Sequence, residues 1–269
     1  MKIRIAEYCG FCYGVKRAVD MAYKAAETNG SSGTLGPLIH NPQLIEDLTA
    51  QGVPCRESLD EFQAGETVIF RSHGVGPDVY ADAQAKKLTI IDATCPNVQA
   101  AQKKGQSLAE AGYLPVIIGE KNHPEVKSIV QWAGKHAIVI ECIKDIGKVP
   151  FADKYGVLIQ TTFELTKFEE ILAALQKARP GEYKIEKTIC LATSQRQNAA
   201  LKLADEVDAF IVIGGRNSAN TRHLYELVAE HCERAYHIET ASELTGEMFK
   251  NCQNIGITAG ASTPDRIIK

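Results

Sequence analysis

Thr89–Glu125, TIIDATCPNVQAAQKKGQSLAEAGYLPVIIGEKNHPE, sets out one strand-and-helix unit from which the rest of the chain can be read. Thr89-Ile90-Ile91-Asp92 reads as a short strand that delivers the chain to Cys95. Pro96 then stands at a first helical position, where its missing N–H costs nothing, and Gly112 stands where a helix ends. Between them Val98, Ala101, Leu108 and Ala109 form a loose apolar face. Leu114 to Ile118 is an apolar run of strand length, and the polar residues Asn122-His123-Pro124-Glu125 follow it into a further helical stretch. The unit is therefore strand, cysteine, helix, strand, polar cluster, helix.

The same order recurs on both sides of this stretch. Cys12 precedes Val15, Ala18, Val19 and Ala22, spaced i, i+3, i+4, i+7; Cys190 precedes Ala200, Leu203, Ala204 and Val207 in the same spacing. Each helix leads to an apolar strand, Leu35 to Ile39 in the first case and Ala209 to Ile213 in the last. Polar residues follow, His40-Asn41-Pro42 and Asn217-Ser218-Ala219-Asn220, so that His40, His123 and Ser218 each lie 28 residues after their cysteine. Third strands are expected at Val53–Cys55, Ala137–Ile140 and Ala235–Ile238. Fourth strands end in polar residues at Arg71-Ser72-His73, Gln160-Thr161-Thr162 and Thr258-Ala259-Gly260-Ala261-Ser262. Tyr183–Glu186 delivers the chain to Cys190, and Ile3-Arg4-Ile5 delivers it to Cys12 and is expected to complete the third unit.

Strands alternating with helices predict α/β architecture, with parallel sheets and right-handed crossovers, which bind ligands beyond the carboxyl ends of their strands. The expected fold is a trefoil of three similar α/β units about a pseudo-threefold axis. Its domains are unit one at 13–95, unit two at 96–189 and unit three at 190–269, the last completed by the N-terminal strand within 1–12. Only seven residues follow Ser262, which leaves the third unit short, as in a chain truncated at its C-terminus.

Composition narrows the function. At 269 residues, 45% hydrophobic and 23% charged, the chain is too long for a small disulfide scaffold and too apolar for disorder. Apolar runs such as Ala209–Ile213 are far too short to span a bilayer, and Glu7 interrupts any signal-peptide core, so a cytoplasmic protein is expected. A net charge of -3 gives no global pull on nucleic acid or anionic lipid. Any bound anion must be held locally.

Eight cysteines in a chain without an export signal point to metal ligands, catalysts or buried thiols. Cys9 and Cys12 have the spacing of a redox motif or half a zinc site, but no second such pair exists. Cys12, Cys95 and Cys190, each at a helix N-terminus, favour the thiolate and so suit an iron-sulfur cluster; zinc with three cysteines and a water is the competing reading. Cys55, Cys142, Cys232 and Cys252 are expected to be buried small hydrophobes, and Cys9 stays outside the ligand set.

His40, His73 and His123 all follow strand ends, at positions matched by Ser218, Asn220 and Ser262. Such a ring of donors without a matching cluster of acids suits a compact multi-oxygen anion such as a diphosphate. His136, His231 and His237 lack this placement and His223 is read as structural. Glu125, the one acid in these loops, is either a solvated acid at a helix start or a proton donor. Gly214-Gly215 is not a nucleotide loop, having neither the Gly-x-Gly-x-x-Gly spacing nor a following lysine.

Gly10-Phe11-Cys12-Tyr13-Gly14-Val15, Arg71-Ser72-His73-Gly74, Asp92-Ala93-Thr94-Cys95-Pro96, His123-Pro124-Glu125-Val126, Gln160-Thr161-Thr162 and Thr258-Ala259-Gly260-Ala261-Ser262 together resemble the 4-hydroxy-3-methylbut-2-enyl diphosphate reductase family. The resemblance runs from Gly10 to Asp265. It implies the last step of the methylerythritol phosphate route to isoprenoids, a two-electron, two-proton reductive dehydroxylation giving isopentenyl and dimethylallyl diphosphate. By the same resemblance Cys12, Cys95 and Cys190 hold a 4Fe-4S cluster with one open iron. His40, His73, His123, Ser218, Ala219, Asn220 and Ser262 bind the diphosphate, Glu125 feeds protons, and Thr161 orients both the substrate hydroxyl and Glu125. Ala219 departs from the many members that have serine there, which removes a hydroxyl and leaves the backbone N–H. The implied partners are the allylic diphosphate and an electron donor such as ferredoxin or flavodoxin, with no nucleic acid or membrane, in a monomer.

Overall fold

The computed structural model describes residues 1–28 and 30–268. The chain begins with β1 (Lys2–Ile5), α1 (Tyr13–Ala26), β2 (Ser32–Leu35), α2 (Pro42–Ala50), β3 (Cys55–Arg56), β4 (Thr67–Phe70), α3 (Pro77–Ala85) and β5 (Thr89–Asp92). It continues through α4 (Pro96–Glu110), β6 (Leu114–Ile118), α5 (Pro124–Ala133), β7 (Ile138–Ile140), β8 (Lys154–Ile159), α6 (Leu165–Ala178) and β9 (Glu182–Glu186). Then come α7 (Leu191–Ala204), β10 (Ala209–Ile213), α8 (Ala219–Ala229), β11 (Ala235–Ile238), β12 (Asn254–Ala259) and α9 (Asp265–Ile268).

Three four-stranded sheets result, ordered β3-β2-β4-β5, β7-β6-β8-β9 and β11-β10-β12-β1. All their strand pairs are parallel, and the three orders are the same order repeated. The α/β class and the threefold repetition expected from the sequence are therefore present. β1 does complete the third sheet, with Ile3 opposite Ile255 and Ile5 opposite Ile257.

By contacts the chain divides into two compact units. One comprises residues 1–16, 39–44 and 190 onward; the other comprises 17–38 and 45–189. The first contains the sheet of β1, β10, β11 and β12. Its β10 alternates with period two: Phe210 and Val212 pack with Leu203, Leu224 and Val228, whereas Ala209, Ile211 and Ile213 pack with Ile238 and Ile255. A strand buried on both faces in this way is the mark of a parallel sheet covered by helices. The second unit holds the other two sheets. Here Val116 and Ile118 of β6 face Phe168 and Leu175, while Ile117 faces Leu108, Val126 and Ile129. Each such side chain, fully buried, stabilises the fold by roughly 1.5–3 kcal/mol.

Several element ends differ from the sequence reading. β2 stops at Leu35 rather than running from Leu35 to Ile39, because Gly36 adopts φ 69° and Pro37 has no N–H to continue the ladder. A Cβ at Gly36 would lie 2.9 Å from the Arg71 guanidinium. Leu38 and Ile39 are nonetheless buried. β3 begins after Pro54 rather than at Val53, and α7 ends at Ala204, short of Val207. Cys142 is exposed at the start of a 3-10 turn, its thiol 3.7 Å from Asp145 Oδ2, and Cys55 is half-buried; only Cys232 and Cys252 of the four are buried as expected. Cys55 opens the short edge strand β3 and Cys142 lies two residues beyond the short edge strand β7, where a sheet has least cover.

α4 and α5 pack closely where Gly105 meets Ala133: a Cβ on Gly105 would sit 3.3 Å from the Ala133 Cβ. Gly105→Leu is therefore expected to destabilise the fold by about 1–3 kcal/mol, read from urea unfolding, as overpacking does. Wild-type stability would show that the helices can separate freely.

Candidate functional site

In the first unit, two of the three candidate ligands open helices. Cys12 directly precedes α1 and accepts the Val15 N–H on its Sγ at 3.5 Å. Cys190 caps α7, and its Sγ lies 3.0 Å from the Thr193 hydroxyl. Free N–H groups and the positive helix end favour negative sulfur at such positions. Cys9, by contrast, packs beside the apolar cluster around Ile211 and Ile255, and burial pushes its thiol up to about 11. It is a poor candidate for a thiolate ligand. None of the eight cysteines is in a disulfide.

The same unit gathers His40, Ser218, Ala219, Asn220 and Ser262. Ser218 caps α8, accepting the Thr221 N–H at 3.3 Å, with Ala219 at the first helical position. Ser262 Oγ lies 3.4 Å from the His40 carbonyl and 3.3 Å from Ser218 Oγ. Asn220 is 8% exposed, and its buried side-chain NH2 group has no hydrogen-bond partner among the described residues. A buried amide donor left unsatisfied is one that an anion could complete. Close approach shapes the neighbouring turn, since a Cβ at Gly215 would meet the His40 carbonyl at 2.7 Å.

In the second unit, Cys95 caps α4, with Pro96 following as the spacing predicts. The loop before Cys95 is tied down by Arg17, which donates to the Thr94 carbonyl at 3.1 Å and the Asp92 carbonyl at 3.4 Å. His73 and His123 meet edge to face with ring centroids 5.4 Å apart. His123 caps α5 by accepting the Glu125 N–H on Nδ1 at 3.2 Å, which fixes the tautomer with its hydrogen on Nε2. Nε2–H is then the donor of the ring.

Glu125 is the only acidic side chain buried among the described residues, at 2% exposure. Its Oε1 accepts the Thr161 N–H at 2.6 Å and its Oε2 meets the Thr161 hydroxyl at 2.8 Å. Burial pushes its pKa up to about 7, against the opposing pull of the two Thr161 bonds. This is the range a general acid needs near neutral pH. Ser128 Oγ joins the group, 3.0 Å from the His73 carbonyl and 2.8 Å from the Glu125 carbonyl. The reading of Glu125 as a solvated helix acid is thereby excluded.

His136 and His231 are exposed, His237 shares a hydrogen bond with the Gly214 carbonyl, and His223 is buried on α8. A cleft of about 630 Å³ in the second unit is lined by Glu57, Asp60 and Asp82 as well as Arg71, Lys86 and Lys127. Its balanced charges give it no net pull on a diphosphate. The sequence reading names neither Arg17 nor Arg196. Arg196 is 5% exposed on the buried stripe Thr193, Arg196, Ala200, Leu203 of α7, and that i, i+3, i+7, i+10 spacing is the signal that could have found it.

No helix among the described residues is long and apolar enough to cross a membrane. The LytB protein family model matches residues 3–269. A 4-hydroxy-3-methylbut-2-enyl diphosphate reductase of Pelobacter propionicus is 44% identical over 268 residues, covering 100% of this chain and 95% of that protein. One from Aquifex aeolicus is 46% identical over 272 residues, covering 99% and 93%. Among solved structures, the E-1-hydroxy-2-methyl-but-2-enyl-4-diphosphate reductase of Plasmodium falciparum superposes with a TM-score of 0.93 at 29% identity, covering 98% of this chain and 85% of that one. An (E)-4-hydroxy-3-methyl-but-2-enyl diphosphate reductase, the terminal enzyme of the non-mevalonate pathway, gives 0.74 at 45% identity, covering 99% and 95%. With a parallel α/β fold repeated three times, cysteines opening its helices and a family match along nearly its whole length, the chain belongs to the LytB family of 4-hydroxy-3-methylbut-2-enyl diphosphate reductases.

Proposed function

We propose that this chain removes the allylic hydroxyl of 4-hydroxy-3-methylbut-2-enyl diphosphate, using an iron-sulfur cluster held by Cys12, Cys95 and Cys190. The reaction breaks the C–O bond, takes up two electrons and two protons, forms a C–H bond and releases water. Isopentenyl and dimethylallyl diphosphate are the products. The observation that carries the reading is Glu125, the one buried acid among the described residues, poised near pKa 7 in the grip of Thr161. The donor chemistry also fits a cluster: three sulfurs at helix N-termini, with an N–H on Cys12 and a hydroxyl on Cys190. When bound, a 4Fe-4S cluster with one open iron supplies electrons and a Lewis acid.

The chain's own residues supply the rest. His40, His73, His123, Ser218, Asn220, Ser262 and the Ala219 backbone hold the diphosphate, and His123 is already in the donating tautomer. Thr161 orients the leaving hydroxyl and Glu125 together, and Glu125 delivers a proton as the C–O bond breaks. The buried setting of both keeps bulk water from competing for that proton. We further take the working protein to be a cytoplasmic monomer of three α/β units at 13–95, 96–189 and 190–269 with 1–12, reduced by a ferredoxin or flavodoxin. The test is substrate-dependent oxidation of a reduced carrier by the anaerobically prepared protein. Turnover to the two five-carbon diphosphates supports the function, and absence of turnover with an intact cluster contradicts it.

The anion ring has its own test. A charge-assisted hydrogen bond to the diphosphate contributes about 1.5–3 kcal/mol, or about 10- to 150-fold in binding. Changing His40 or His123 to a neutral non-donor is expected to weaken inorganic diphosphate and substrate by that factor in a competition assay. Unaltered diphosphate inhibition in both variants would remove these residues from the anion site.

A further inference from the structure

Among all the described Lys, Arg, Asp and Glu side chains, only two are buried: Glu125, already given a task, and Arg196. A guanidinium 5% exposed costs several kcal/mol in desolvation unless something compensates it. No acidic residue among the described ones stands within ion-pair distance of Arg196. Burial disfavours its charged form, and negative sulfur at Cys12 and Cys190 opposes that penalty.

Its hydrogen bonds join the same two cysteines' segments. Nη2 donates to the Gly10 carbonyl at 2.6 Å, two residues before Cys12, and Nη1 donates to the Ala192 carbonyl at 2.8 Å, two residues after Cys190. Gly10 holds φ 80°, and a Cβ there would strike Ile268 at 2.7 Å, so the backbone that presents this carbonyl is closely determined. Nε, also buried, has no hydrogen-bond partner among the described residues. Arg17 ties the loop before Cys95 by carbonyl contacts of the same kind, but from a half-buried position. Among the described residues, a buried cation that joins the segments of two cysteines is particular to Arg196.

We propose that Arg196 is a positioning residue for the reductase reaction: it straps the loop of Cys12 to the helix start of Cys190 and supplies the fixed positive charge opposite their thiolates. The proposal rests on the cluster reading given above. Three thiolates on a 4Fe-4S core leave a net negative charge, and reduction adds another, so a permanent cation nearby makes reduction easier. Arginine suits the task because it stays protonated and forks to two carbonyls at once; a lysine offers one point of contact.

The test compares the anaerobically prepared wild type with Arg196→Gln and Arg196→Lys, reading midpoint potential by a spectroscopic redox titration and iron release to a chelator. Arg196→Gln is expected to have a more negative potential than wild type. Arg196→Lys is expected to keep close to the wild-type potential while releasing iron at least tenfold faster, because it retains the charge and loses the fork. Wild-type potential and wild-type iron release in Arg196→Gln would overturn the proposal. Should Arg196→Gln fail to fold, judged by circular dichroism, Arg196→Lys decides: faster iron release at unchanged potential supports the proposal, and wild-type release overturns it. A wild type that lacks iron and sulfide would instead sink the cluster reading itself, and this inference with it.

Discussion

Replacing Cys12, Cys95 or Cys190 singly by Ser is expected to abolish stable iron-sulfur binding and with it all turnover. The alkoxide that would have to replace the thiolate is hard, strongly basic and poorly matched to iron in a cluster. Ser at Cys55, Cys142, Cys232 or Cys252 is expected to leave the absorption spectrum intact. The positions explain the contrast. Cys12, Cys95 and Cys190 stand at the starts of α1, α4 and α7, whereas Cys232 and Cys252 pack in the apolar clusters of the first unit and Cys142 lies in an exposed turn. If Cys142→Ser or Cys252→Ser lost the spectrum as completely as Cys95→Ser, the ligand assignment would be wrong.

Glu125→Gln should lower turnover by about 100- to 10,000-fold, the range for loss of a general acid. The amide keeps the size and the Thr161 contacts but has no transferable proton. Substrate binding and the cluster spectrum should survive, which separates this variant from the cysteine ones. In the wild type the raised pKa gives the pH dependence its sign. The carboxyl is protonated below about 7, so the step that needs it runs at full rate there and declines as pH rises through 7. The Gln variant should lose that limb of the profile. Near-normal turnover by Glu125→Gln would show that the proton comes from elsewhere.

The sequence shows the repeat, and the reason is physical. Strands buried on both faces read as unbroken apolar runs, and Leu114–Ile118 and Ala209–Ile213 match β6 and β10 residue for residue. Helix starts were equally plain, because proline at the first helical position marks α4 and α5. Edge strands were harder. β3 has two residues and its position is set by pairing with Thr34 and Leu35, a long-range contact that no local pattern encodes. Gly36-Pro37 cut β2 short although the apolar residues continue past them.

In the site, residue types at strand ends gave the candidates, but burial decided their chemistry. Nothing in His123-Pro124-Glu125 says that the carboxylate turns inward to Thr161, 36 residues away along the chain, rather than outward to water. Arg196 was missed for a related reason: arginine within a helix ordinarily lies at the surface, and only the folded α7 shows it on the buried stripe.

Three cysteines of this chain are expected to hold an iron-sulfur cluster at which the diphosphate substrate is reduced. Iron, acid-labile sulfide and the electronic absorption spectrum, measured together on protein prepared without oxygen, test it most directly. About four iron and four sulfide per chain are expected, with a broad visible absorption that bleaches on reduction and returns on adding substrate. Zinc bound without iron or sulfide would contradict it and would point to hydrolysis of the phosphoester instead.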